Sequence, residues 1–291
     1  MKHRLLALAF TAGLCSPHAS LAADITVYQN AQGKVLNTQT TVAGTSWNAD
    51  WYLPNGTPVG LMTVQHGFSR GCGNLRNVSL NLMQRGIMVM CLNAPMSGGN
   101  PALGQALGDA LADGTLPVPE GRPLPSRFVV GGHSAGGHFA SVVGRRLAER
   151  GVAGFRGAVL FDPVAAGGFT DNLLAISGGG TRGVFAITSR SNVCNQFNNA
   201  HGALKTVSNP FVGVQMTNKS THVDAEGYNT DFIGHAACLQ GHPTGMNAQI
   251  VQDMSGVWAA DLLNGTRNPD HYPGGSYLNS HQQWGNLKPI K

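Results

Sequence analysis

Short, continuous apolar runs recur along the chain. Residues 59–64, 87–92, 127–130, 158–161, 183–188 and 211–216 are such runs. None of them alternates apolar with polar positions, the pattern of a strand buried on both faces. The stretches between several of them have apolar positions three and four apart. Residues 73–85 read as a helix that stops at Gly86, and residues 102–112 read as a short one. Residues 135–150 form another that ends at Gly151, and residues 249–263 a closing amphipathic helix. The opening differs. Residues 25–42 are rich in Thr and Val and read as one or two edge strands, and residues 46–53 as another, turned by Pro54-Asn55-Gly56. Buried strands alternating with helices predict an α/β fold, a mostly parallel central sheet with helices on both faces. No internal repeat or linker interrupts residues 23–291, which read as one domain. The tail after Gly265 is polar, with Pro and Gly, and is expected to wrap the surface.

The first residues break this pattern. Met1-Lys2-His3-Arg4 is a basic start, residues 5–14 are an apolar run, and small residues follow at Ser20-Leu21-Ala22-Ala23. That order predicts a secretory signal peptide over residues 1–22, with a run too short to span a bilayer. An N-terminal core helix is the alternative. No later stretch reaches the length of a membrane span, so a secreted or periplasmic protein without an integral membrane segment is expected. Charged residues are only 11% of the chain and the net charge is +5. No Lys/Arg cluster forms a footprint for nucleic acid, and that class is set aside.

Export changes the reading of the five cysteines. Cys15 leaves with the signal, and Cys72, Cys91, Cys194 and Cys238 remain. Four cysteines in an oxidising compartment predict two disulfides. Three connectivities exist, and sequence order favours Cys72–Cys91 with Cys194–Cys238. A structural zinc site would want a Cys-x-x-Cys pair, and the sequence has none.

Candidate chemistry begins at Gly132-His133-Ser134-Ala135-Gly136, directly after a predicted strand and directly before a predicted helix. Such a turn lifts the Ser134 hydroxyl clear of the sheet, and glycines two residues either side avoid a clash. An ordinary glycine-rich turn is the bland alternative. A serine needs a base, and His222 lies six residues past the run at 211–216, where a loop would leave the strand's C-terminal edge. His138 falls one helical turn after Ser134 and is expected to pack locally. His201, His235 and His242 lie in stretches read as polar loops. The acid is limited by scarcity: only Glu149, Asp162 and Asp171 lie between Ser134 and His222. Glu149 sits among arginines on a solvated helix face, and Asp171 is read as a loop residue held in reserve. Asp162 ends a buried run, where a carboxylate is costly unless it is paired. The segment 189–199 carries serine, arginine and asparagine but no carboxylate, so the acid is expected to be Asp162, with Asn192 or Asn195 orienting the histidine from that segment as the rival. The oxyanion hole would use the backbone N–H of Ala135 and that of Phe68, which follows Gly67 after the first buried run. The Phe68 ring is expected either to floor an acyl pocket or to pack in the core.

Strand, Gly-His-Ser-Ala-Gly and helix, with His66-Gly67-Phe68 upstream and a later histidine, resemble the α/β-hydrolase esterases and lipases. The resemblance covers residues 45–265 and implies the α/β-hydrolase fold. Within that superfamily Phe161-Asp162-Pro163-Val164 and His222-Val223-Asp224 look like the chlorophyllase-like branch, which implies Ser134, Asp162 and His222 as nucleophile, acid and base. The sequence departs from that branch at Ala135, where it has arginine, and after Val164, where Asp-Gly is missing. The secreted, disulfide-bearing context is closer to the cutinase and polyester-hydrolase relatives. The expected activity is a secreted serine carboxylic-ester hydrolase acting on a small-molecule, lipid or polyester substrate, with no cofactor and no metal. A secreted serine peptidase or amidase with the same triad, and a catalytically silent binding module, are the alternatives.

Overall fold

The computed structural model describes residues 24–238 and 241–291. The expected signal peptide lies outside the described residues. Strands β1 (Ile25–Gln29), β2 (Gly33–Val42) and β3 (Thr45–Pro54) form an antiparallel edge. Strands β4 (Gly60–Gln65), β5 (Ile87–Leu92), β6 (Phe128–His133), β7 (Phe155–Phe161), β8 (Gly183–Thr188) and β9 (Gly213–Met216) run parallel. A last strand, β10 (Leu287–Pro289), pairs antiparallel with β9. The ten strands described form one sheet in the order β1-β2-β3-β5-β4-β6-β7-β8-β9-β10.

The helices are α1 (Arg76–Gln84), α2 (Pro101–Ala112), α3 (Ala135–Glu149) and α4 (Phe169–Ser177), then α5 (Ala200–Thr206), α6 (Phe232–Ala237), α7 (Gly245–Asn264) and α8 (Ser276–Gln283). Two cores explain why the central strands carry no polar alternation. Met88, Met90 and Leu92 of β5 face one cluster, with Leu107 of α2, Phe139 of α3, Leu173 of α4 and Leu204 of α5. Ile87 and Val89 face the other, with Leu82 of α1, Trp258 of α7 and Leu278 of α8. Each strand residue therefore meets an apolar layer whichever way it points. Replacing a fully buried leucine such as Leu82 with alanine would cost about 2–5 kcal/mol.

The order reverses around β4. The chain first steps from β4 out to β5, then crosses back to place β6 on the other flank of β4. Loops leaving β4 and β6 at their C-terminal ends meet at this switch point, where open α/β sheets form a crevice.

Four placements need correction. Asp171 is not in a loop but in the first turn of α4, and His201 lies in α5. His235 lies in the short helix α6. The tail does not merely wrap the surface: α8 packs on the core through Leu278, and Leu287 pairs with Met216 to extend the sheet. Segments this short carry too few turns to show a helical period, and a three-residue strand is specified by its partner rather than by its own sequence. Both disulfides form in the connectivity favoured by sequence order, Cys72–Cys91 and Cys194–Cys238. Among the described residues, no helix is long and apolar enough to cross a membrane.

Candidate active site

Ser134 sits between the end of β6 and the start of α3 with φ 57° and ψ −124°, a conformation that L residues adopt only when their surroundings impose it. The surroundings are backbone. The Ser134 N–H donates to Phe161 O at 3.1 Å, and Ser134 O accepts from Gly137 N at 2.9 Å and Val164 N at 3.1 Å. A Cβ on Gly132 would stand 2.1 Å from Gly136 O, and one on Gly136 would stand 2.3 Å from both Gln65 O and His66 O. The two outer glycines of Gly-x-Ser-x-Gly are thus required by the approach of α3 to the end of β4. Gly67 lies directly against the serine, since a Cβ there would be 2.9 Å from Ser134 Cβ. The loop after β4, with Phe68, therefore borders the same point in space as the N-terminus of α3, with Ala135.

Asp162 follows β7 directly, with φ 38° and its N–H donating to Ile187 O of β8 at 2.8 Å. This turns its carboxylate across the sheet edge. Its Oδ2 accepts from His222 Nδ1 at 2.6 Å. The remaining partners come from the segment after β8. Ser189 donates its N–H to Oδ1 at 2.9 Å and its hydroxyl to Oδ2 at 2.6 Å, and Asn195 Nδ2 lies 3.3 Å from each oxygen. Burial works against the charge. The hydrogen bonds from His222 and Ser189 outweigh it and hold the Asp162 carboxyl below the usual carboxylate range.

His222 lies in the segment after β9. Asp224 accepts from the Thr221 N–H at 2.8 Å and from the Thr221 hydroxyl at 2.9 Å, closing a tight turn around the histidine. Burial pushes the Asp224 carboxyl up to about 7. His133 of the elbow donates from Nε2 to the His222 carbonyl oxygen at 2.7 Å, and the two rings stand 4.7 Å apart. Burial, and then the neighbouring His222, push the His133 imidazole down to about 3, so it is neutral at ordinary pH.

A cleft of about 480 Å³ opens over these groups, lined among others by Phe68, Met96, Ser134, Val164, His222 and Ile233. The structure brings Ser134, Ala135, Phe68 and His222 to this one cleft, with Asp162 behind His222. Phe68 is 62% exposed and lines the rim, which rules out the core-packing alternative for its ring. Cys194 and Cys238 also line the cleft, so their disulfide ties the segment after β8 to the end of α6 across its wall. His138 is buried and also lines the cleft, while His201 bonds Thr188 at 3.0 Å and His242 bonds His235 at 3.1 Å. Ser189 was not anticipated as a site residue, and Asn195, weighed as a rival orienter of the base, instead donates to Asp162. The only signal in the sequence was a segment rich in Ser and Asn that lacked a carboxylate.

No protein-family model matches the chain, and no curated protein matches it in sequence. Solved structures do. The esterase domain of a Rhodothermus marinus protein superposes with a TM-score of 0.55 at 15% identity, over 79% of this chain and 99% of that one. Dienelactone hydrolase from Anabaena variabilis gives 0.53 at 13% identity, over 81% of this chain and 100% of that one. Est1E from Butyrivibrio proteoclasticus gives 0.55 at 12%, over 78% and 99%. Together with the strand order and the turn at Ser134, these likenesses define the architecture: the chain has the α/β-hydrolase fold.

Proposed function

We propose that the chain is a serine hydrolase of carboxylic esters, exported from the cell, with Ser134 as nucleophile, His222 as base and Asp162 as acid. The observation that carries the reading is the 2.6 Å bond from His222 Nδ1 to Asp162 Oδ2 beside a cleft that the strained Ser134 also lines. With Nδ1 carrying the proton donated to Asp162, Nε2 is the unprotonated nitrogen that takes the hydroxyl proton. The two disulfides and the esterases among the structural neighbours are in keeping with this reading.

The chemistry follows from the geometry. Ser134 Oγ attacks the ester carbonyl carbon, and His222 Nε2 takes the hydroxyl proton. The backbone N–H groups of Ala135 and Phe68 hold the developing oxyanion, helped by the positive end of α3. His222 gives its proton to the departing alcohol. Water then attacks the acyl-enzyme by the same route in reverse, and Asp162 offsets the imidazolium charge in both halves. A largely apolar cleft suits an uncharged ester. The test is parallel hydrolysis of nitrophenyl esters and nitroanilides by purified protein: esters should turn over, and anilides should be slower by a factor on the order of 10² or more. Faster anilide than ester hydrolysis would make the chain an amidase.

A further inference from the structure

The reaction outlined above leaves one buried ion pair unused. Arg70 lies two residues after Phe68, on the loop that leaves β4. Its side chain is 7% exposed, and its Nε donates to Glu226 Oε1 at 2.8 Å while Nη2 donates to Glu226 Oε2. Glu226 ends the segment that carries His222, and its side chain is fully buried. A third donor, Arg70 Nη1, reaches Asp231 Oδ1 at 2.7 Å, at the rim just before α6. Both Arg70 and Glu226 border the cleft.

Two planar groups joined by two parallel bonds fix an angle as well as a distance. Here the groups belong to the loop with the Phe68 N–H and to the segment with the base. Each partner is also anchored from behind. Cys72, two residues past Arg70, is bonded to Cys91 of β5, and its N–H donates to Asn93 Oδ1 at 2.8 Å. The Glu226 N–H donates to Val223 O at 2.9 Å, one residue after the base. His133 completes the enclosure: it holds the His222 carbonyl, and its Nδ1 stands 3.7 Å from Glu226 Oε1. The nucleophile elbow, the base segment and the oxyanion-side loop are thus tied to one another beneath the reacting atoms.

We propose that the Arg70–Glu226 pair is a positioning device, which holds the backbone donor of the Phe68 loop and the imidazole of His222 in the relative placement that Ser134 needs. Burying two charges gives little or no net stability over well-packed apolar side chains, so stability alone does not account for the pair. Placement does, because an error of about 1 Å in a reacting group can cost on the order of 10²-fold in rate. Neither residue touches the substrate in this account; both act through the loops they join. The proposal rests on the ester-hydrolase reading.

The test compares Glu226→Gln, Arg70→Lys and the apolar double variant Arg70→Met/Glu226→Leu in the full exported chain. Measured are Tm, kcat and KM on a nitrophenyl ester, and the rate at which a fluorophosphonate labels Ser134. Glu226→Gln should lower kcat by roughly 10²-fold with KM within about threefold. Arg70→Lys keeps the charge but loses the fork, and should lower kcat roughly tenfold or more at near wild-type Tm. The double variant should recover Tm without recovering kcat or the labelling rate. A double variant that turns over within about threefold of wild type overturns the proposal, as does a loss confined to KM. If the double variant does not fold, Arg70→Lys decides: wild-type kcat overturns the proposal. A wild-type chain that neither hydrolyses esters nor takes up the label overturns the hydrolase reading itself, and this proposal with it.

Discussion

Two neighbouring loops leave the C-terminal edge of the sheet, and they divide one task between them. The loop after β7 supplies the charge: Asp162 is its first residue. The loop after β8 supplies no carboxylate, but its Ser189 and Asn195 point donors at the one that the other loop provides. If the proposed triad holds, it constrains where the carboxylate ends up, not which strand brings it. Adjacent parallel strands lie about 4.8 Å apart. With its positive φ, Asp162 turns its side chain toward the end of β8, where it meets Ser189 from the loop after β8 and His222 from the segment after β9. The loop without a carboxylate then becomes a cage, and a cage of donors keeps a buried carboxylate ionised.

Breaking the charged side should have the largest effect. Asp162→Asn should lower kcat on the order of 10⁴-fold with KM little changed, because the imidazolium loses its counter-charge and its fixed tautomer. The rival outcome, a mild Asp162→Asn with a severe Asn195→Ala, would place the working third member on the β8 loop. Steady-state kinetics on one soluble ester separates the two.

The histidines offer a second contrast, between His222, which acts in the cleft, and His133, which is buried behind it. An ordinary histidine protonates near pH 6.5, whereas His133 in the fold does so only at about 3. Between those values the unfolded chain holds the extra proton. The stability tied to neutral His133 is therefore complete above pH 6.5 and lost as pH falls toward 3, on the order of 5 kcal/mol over the whole range. Asp224 works the other way: raised to about 7 from 3.8, it favours the folded chain as pH falls through that interval. Denaturant unfolding of wild type and His133→Gln across pH 3–7 isolates the His133 contribution, because glutamine keeps a donor for the His222 carbonyl but cannot titrate. The variant should show the shallower loss on the acid side, and parallel curves would contradict the burial argument.

Smaller effects sharpen the division between the loops. Asn195→Ala removes one of several neutral donors and should lower kcat only about tenfold, the scale of one hydrogen bond. Asp171→Asn should leave kcat unchanged, since Asp171 lies on the exposed first turn of α4. The same assay ranks all three variants.

How much of this was legible in the sequence depends on the range of the interaction. β4 to β9 were readable because each is a compact apolar run whose reason for being apolar, burial on both faces, is local to the strand. The elbow was readable because Gly132 and Gly136 answer a steric demand within five residues. Asp162 could be singled out because carboxylates are scarce between Ser134 and His222. α4, α5, α6 and β10 were not readable. They are short, and Leu287 acquires its meaning from Met216, far away in the chain. The Ser189–Asn195 cage and the Arg70–Glu226 pair were invisible for the same reason: their partners are separated by 27, 33 and 156 positions. A lone arginine after Gly-Phe-Ser, or an asparagine in a polar loop, carries no local mark of what it will meet.

The central claim is that Ser134 is a nucleophile activated through His222 and Asp162, and covalent labelling tests it most directly. Wild type, Ser134→Ala and Asp162→Asn are treated with a fluorophosphonate, digested and mapped by mass spectrometry. The account predicts one adduct per wild-type chain, on the peptide carrying Ser134, none in Ser134→Ala, and labelling slowed by orders of magnitude in Asp162→Asn. An adduct on another serine, or equal labelling of wild type and Asp162→Asn, would contradict it.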